Sequence, residues 1–169
     1  MQGRAAWVTA LLLAAAEPKI SDAEVLFIAH GSLGMRIEGK TADLSTARTG
    51  DTLEFIVHLE TLQTGIELRD RHMRDDVFEV QRFPVARLRV SHPPLPGATT
   101  SGTALGELTV HGQTRPVNVA FKLKPRSGYD VTASFQMNLR DYGMTAPTYL
   151  GISVKPEIDV SADFHLDAP

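Results

Sequence analysis

The chain contains no cysteine. That excludes disulfides, thiolate nucleophiles, zinc fingers, iron–sulfur clusters and lipid attachment at a cysteine. It has no cationic surplus: 17 Lys and Arg stand against 20 Asp and Glu, a net charge of −3. Nucleic acid is therefore excluded as the main partner, because phosphate binding draws on an excess of positive side chains. No apolar run is long enough for a stable membrane span. The longest, residues 5–16 (AAWVTALLLAAA), falls well short of the roughly 20 residues a hydrocarbon core requires. None of the six histidines forms an H-x-H or H-E-x-x-H pair, so a metal is not expected. The string GMRIEGKT (34–41) matches the phosphate-loop pattern in letters only, since it alternates as a strand and no helix follows to bind phosphate. Neither serine context, GSLG (31–34) nor RSG (126–128), has the strand–elbow–helix setting of a serine nucleophile. No catalytic residue and no cofactor is expected.

What remains is a chain of 169 residues, enough for one domain with its own core. Its first sixteen residues read as an export signal: Arg4 gives a short positive start, the apolar run follows, and Ala14 and Ala16 supply the small residues of a cleavage site. The expected mature domain is 17–169, periplasmic or secreted.

Beyond Ala23 the dominant period is two. In residues 53–60 (LEFIVHLE) the residues Leu53, Phe55, Val57 and Leu59 share one face, and in 129–139 (YDVTASFQMNL) Tyr129, Val131, Ala133, Phe135, Met137 and Leu139 do so. The same scheme runs through 115–124 and 157–166, and more weakly through 24–29, 35–39, 86–91 and 107–112. Turn residues separate the runs at 48–51, 91–102, 111–116 and 125–128. The Pro-rich stretch at 93–102 is expected to be a long hairpin loop rather than a linker, because neither flank could bury a separate core. One segment breaks the period: Ile66, Met73, Val77 and Val80 fall at helical offsets, so a helix is expected over 66–82, ended by Phe83-Pro84. The expected architecture is all-β. A single antiparallel barrel of about eight strands carries one helical insertion between the third and fourth strands.

The stretch TGIELRDRHMRDDVFEVQRFP (64–84) resembles the YceI-like family of exported lipid-binding barrels. So do, in order, GELTVHGQTRPV (106–117), DYGM (141–144), PTYLG (147–151) and VKPEIDVSADF (154–164). The family's first-strand pattern, H-S-x-V-x-F-x-V-x-H, is not matched: residues 22–39 keep Val25 and Phe27 in phase but lack the leading His-Ser. The resemblance implies a lipocalin-like barrel in the periplasm. It would hold a long isoprenoid or quinone-type lipid in its lumen and have no enzymatic residue.

The residues expected to line that lumen are Phe27, Phe55, Val57, Leu88, Val90, Leu108, Val110, Val119, Phe121, Phe135, Met137, Ile158 and Val160. All stand on the apolar phase of an alternating run, where a one-residue slip would turn each outward. Arg69, His72, Tyr142 and Tyr149 are candidates for the pocket mouth. For the E-L-R-D-R-H-M-R run the plainer reading is a charged helix face, with Glu67–Arg71 and Asp70–Arg74 paired at i,i+4. For Tyr142 and Tyr149 it is packing through one phenolic hydrogen bond. Three functions stay open at this point. They are a non-enzymatic lipid binder, a packed structural or partner-binding barrel with no ligand, and a small exported hydrolase. A homodimer fits the sequence as well as a monomer does.

Overall fold

The computed structural model describes residues 18–93, 100–149 and 151–167. The expected export signal, at 1–16, lies outside them. Ten strands form: β1 (Ile20–Gly31), β2 (Arg36–Thr41), β3 (Ser45–Thr49), β4 (Thr52–His58), β5 (Val85–Ser91), β6 (Thr100–Val110), β7 (Gln113–Arg126), β8 (Gly128–Asn138), β9 (Thr148–Tyr149) and β10 (Ile152–Asp167). Nine of them make one antiparallel sheet in the order β2-β1-β10-β8-β7-β6-β5-β4-β3, curled into a half-barrel, while β9 pairs only with β10. Every expected alternating run is a strand of this sheet. β3 and β9 come in addition to the expected eight. The sequence START of β3 carries no apolar alternation, and β9 has two residues, so neither produces a period-two signal.

The sheet does not close by a continuous ladder. Its end strands β2 and β3 are joined by residues 42–44 and held by a seam. Lys40 and Gln63 exchange backbone hydrogen bonds of 2.8 and 3.0 Å, the Thr41 and Thr61 hydroxyls meet at 2.7 Å, and His58 Nδ1 lies 3.0 Å from Asp43 Oδ2. Across the concave face the rings of Phe55 on β4 and Phe164 on β10 pack tilted, with centroids 5.6 Å apart. These strands are five places apart in the sheet order, so the contact spans the lumen. His165, next along β10, is on the outward phase yet buried, its Nδ1 2.8 Å from Asp130 Oδ1.

The β6–β7 hairpin turns on His111 and Gly112 alone, since Val110 pairs with Gln113. Both have positive φ, 50° and 71°, as a two-residue primed turn demands. Gly112 is further required by packing, because a Cβ there would lie 2.9 Å from the Phe83 ring.

The helical insertion between β4 and β5 is shorter than 66–82. It comprises α1 (Glu67–His72) and one π turn (Met73–Val77). Ile66 stands just before α1 and is 52% exposed, whereas Met73 and Val80 join Leu59 and Leu62 in a buried cluster. The helix stops because Glu79 takes a left-handed conformation, φ 48°, in which its carboxylate reaches Arg82 and His111. Two acidic residues, Asp75 and Asp76, near the negative helix end also disfavour extension. The expected i,i+4 ion pairs do not form. The Asp70 carboxylate turns back to accept from the Thr64 amide at 2.7 Å and from its hydroxyl, and Arg74 Nε donates to the Asp70 carbonyl.

Phe27 lies directly across from Gly39 on β2, and its ring covers that glycine so closely that a Cβ would fall 2.1 Å from a ring carbon. Gly39→Ala is therefore expected to lower unfolding free energy by about 1–3 kcal/mol, the usual cost of overpacking, read from urea denaturation.

Candidate functional site

The concave face encloses a cavity of about 810 Å³. Its position follows from the alternation: one phase of each strand is apolar, and curling turns that phase inward. On β10 alone the lining runs from Val154 to Leu166. That is about 40 Å of strand at about 3.3 Å per residue, or about 30 Å along a barrel axis tilted by about 40°. The cavity is long rather than compact.

The structure brings together on this wall all the apolar residues chosen for the lumen: Phe27 from β1, Phe55 and Val57 from β4, Leu88 and Val90 from β5, and Leu108 and Val110 from β6. Val119 and Phe121 from β7, Phe135 and Met137 from β8, and Ile158 and Val160 from β10 complete the set. They fall into two groups. Val90, Leu108, Val110, Val119 and Ile158 are buried. Phe27, Phe55, Val57, Leu88, Phe121, Phe135, Met137 and Val160 point inward and yet remain only half-buried. An inward-facing aromatic keeps accessible surface only where nothing packs against it. The lumen is hollow beside the second group, which sets aside a fully packed barrel.

One end of the lumen is closed by packing. Leu139, Tyr142, Met144 and Val154 are buried against Leu108, Val110, Val117 and Ile158. Tyr142 is 1% exposed and does not line the cavity, so it is a packing residue of this plug and not part of a mouth. Burial first, and then the nearby Asp141 charge, push its phenol up to about 12. It is neutral at any ordinary pH. The Tyr149 side chain lies outside the described residues, while its backbone pairs with Ile152.

Arg69 and His72 both line the cavity, together with Thr64, Ile66 and Asp76. Ile66 and His72 are exposed as well, which marks α1 as a place where the cavity reaches solvent. The exposed Arg48 of β3 also lines the cavity, as do Pro93 and Asp167. The lining contribution of Pro18, Leu44 and Arg48 lay beyond sequence reasoning, because none of these sits on an alternating run. Among the described residues no cluster of three or more His, Asp or Glu is placed to hold a metal. No helix there is long and apolar enough to cross a membrane.

The insertion is clamped to the barrel by His111. Its Nε2 lies 3.0 Å from Glu79 Oε1 and its Nδ1 lies 3.3 Å from the Tyr142 carbonyl, with the Phe83 ring packed tilted against it at a centroid distance of 4.3 Å. Both partners are acceptors, so the ring donates to both only when doubly protonated. The Arg82 guanidinium first, and His111 next, hold the Glu79 carboxyl below its ordinary value of 4.5. A carboxyl lowered in the folded state stabilises above its unfolded value, and the effect is lost as pH falls through the folded one. Urea midpoints are accordingly expected to drop as pH is taken from about 5 to about 3, and Glu79→Gln should make that drop smaller.

A YceI-like domain model matches residues 19–166 of the chain. Similar solved structures include a polyisoprenoid-binding domain from Saccharophagus degradans implicated in plant cell wall breakdown, with a TM-score of 0.76 at 16% identity, covering 90% of this chain and 98% of that one. Burkholderia cenocepacia BcnA is similar at a TM-score of 0.71 and 13% identity, covering 86% and 96%. A Campylobacter jejuni YceI protein is similar at 0.60 and 16% identity, covering 79% and 86%. No protein of curated function matches.

Proposed function

The chain belongs to the YceI-like family, and we propose that it is a non-enzymatic periplasmic carrier that holds one long apolar lipid, an isoprenoid or quinone-type chain, along its lumen. The observation that carries this reading is the row of half-buried aromatic and aliphatic side chains facing a hollow of about 810 Å³. That volume is within the range of about 300–1,000 Å³ common to ligand sites. The similarity to a polyisoprenoid-binding domain supports the choice of lipid class, and the first sixteen residues support export.

The energetics are sufficient. Burying about 16 methylene equivalents at about 0.8 kcal/mol each gives a gross gain of about 13 kcal/mol. Association and chain ordering take back about 4–15 kcal/mol, so a net affinity up to the sub-micromolar range is accessible. A hydrolase is not supported: the cavity lining is predominantly apolar, and Asp70, the buried carboxylate next in sequence to the lining residue Arg69, is spent on Thr64.

The direct test is native mass spectrometry of protein recovered from the periplasm of a Gram-negative host. The expected result is a chain beginning near residue 17 that carries a co-purifying lipid, identified by its mass. Phe121→Arg is expected to abolish lipid uptake, because an unpaired guanidinium is not desolvated cheaply against this wall. A chain that retains Met1, or a wild-type protein that takes up no isoprenoid at any concentration, would end the proposal.

Stability should tell the same story. Phe164 is buried in the cross-lumen contact and Phe121 faces the hollow. Phe164→Ala is expected to cost about 3–5 kcal/mol and Phe121→Ala less than half of that, both measured by urea denaturation without ligand.

A further inference from the structure

We propose that Arg69 is the head-group site of the cavity, and that the ligand is an amphiphile whose head is an anionic oxyacid, a carboxylate or a phosphate, with its tail in the lumen. The inference rests on the lipid-carrier reading and narrows it to one class of lipid.

Arg69 stands where the cavity meets solvent at α1, beside the half-exposed Ile66. Its guanidinium is fixed in place. Nε donates to the Thr64 hydroxyl at 2.7 Å and Nη2 donates to the Thr64 carbonyl at 2.8 Å. Thr64 is held in turn by the buried Asp70, whose Oδ1 accepts from both its amide and its hydroxyl. This small network has two effects. It removes the conformational freedom of the arginine, and it occupies the neighbouring carboxylate so that Asp70 does not pair with Arg69.

Two of the five guanidinium N–H groups are used, which leaves three donors in a fixed fork. Among the described residues Arg69 enters no ion pair, although Asp76 also lines this part of the cavity. The Asp70 carboxylate reaches Arg69 only through the Thr64 hydroxyl, so no acid forks directly onto the guanidinium at the cavity wall. Arginine presents the planar fork that carboxylate and phosphate oxygens match. A neutral alcohol or a quinone carbonyl would accept a hydrogen bond there but offers a single oxygen and no charge to the fork.

The experiment is a calorimetric comparison of three probes of equal chain length: geranylgeraniol, geranylgeranoic acid and geranylgeranyl phosphate. Each is titrated into the delipidated mature protein. In the wild type at least one of the two anions is expected to bind about tenfold or more tightly than the alcohol, the scale of one charge-assisted hydrogen-bonded pair. Which anion is preferred distinguishes a carboxylate from a phosphate head. Arg69→Gln should bring the anion-to-alcohol ratio close to one. Arg69→Lys keeps the charge but cannot fork onto Thr64, so it should retain only part of the ratio and guards against a misfolded glutamine variant. Arg115→Gln, whose charge lies off the cavity lining, should leave the ratio at its wild-type value.

Equal binding of all three probes by the wild type, or a ratio that survives Arg69→Gln, would overturn the head-group assignment and leave the lipid carrier standing. Failure of all three to bind would overturn both.

Discussion

A sheet with one apolar face gains nothing from curling unless that face finds something to bury against. Here the inward face finds only part of what it needs in the other wall. The Phe55–Phe164 contact is one point where the two walls touch directly, across strands five places apart in sheet order. An aromatic pair of this kind is worth about 0.5–1.5 kcal/mol beyond its burial. Its larger effect is geometric, since it fixes how tightly the sheet is rolled and so how wide the lumen can be on either side of it. With the lumen unfilled, cohesion must come from the wall: unbroken antiparallel ladders, and the packed plug of Leu139, Tyr142 and Met144 at one end.

That division explains how two kinds of apolar residue share one periodicity. Val119 and Phe121 are neighbours on the same phase of β7, yet the valine is buried among side chains of the plug and the phenylalanine faces open space. Alternation reports which way a residue points and carries no record of what it points at. Direction was therefore legible from the sequence for every strand with an apolar phase, and hollowness was not. Hollowness depends on distances between strands far apart in the chain.

The same distinction accounts for what was misread. β3 has an inward face of Thr46 and Arg48, opposite Phe55 and Leu53, so a true strand of the wall carries no apolar signature. The periodic spacing of Ile66, Met73, Val77 and Val80 is real, but the helix it suggests ends where Glu79 is drawn to Arg82 and His111. His111 comes from the β6–β7 turn, more than thirty residues away in sequence. Tyr142 was offered a place at the mouth because the family resemblance implies that its loop lies near the barrel opening. The chain instead folds it under the barrel as part of the plug. Local pattern identified the pieces, and tertiary partners decided where they stopped.

The seam between β2 and β3 gives the barrel a property that a fully laddered cylinder would lack. To enlarge the girth of a closed ladder, a complete row of backbone hydrogen bonds must part or slide. Here the circumference is interrupted where Lys40 meets Gln63, Thr41 meets Thr61 and His58 meets Asp43. Along that line the resistance to dilation comes from those polar links, the Thr46 hydroxyl's bond to the Pro18 carbonyl and the 42–44 tether, with the Phe55–Phe164 contact acting across the lumen. The wall is thus stiff along eight strand boundaries and compliant along one, in the manner of a split ring, and the compliant line runs beside the insertion that carries Arg69.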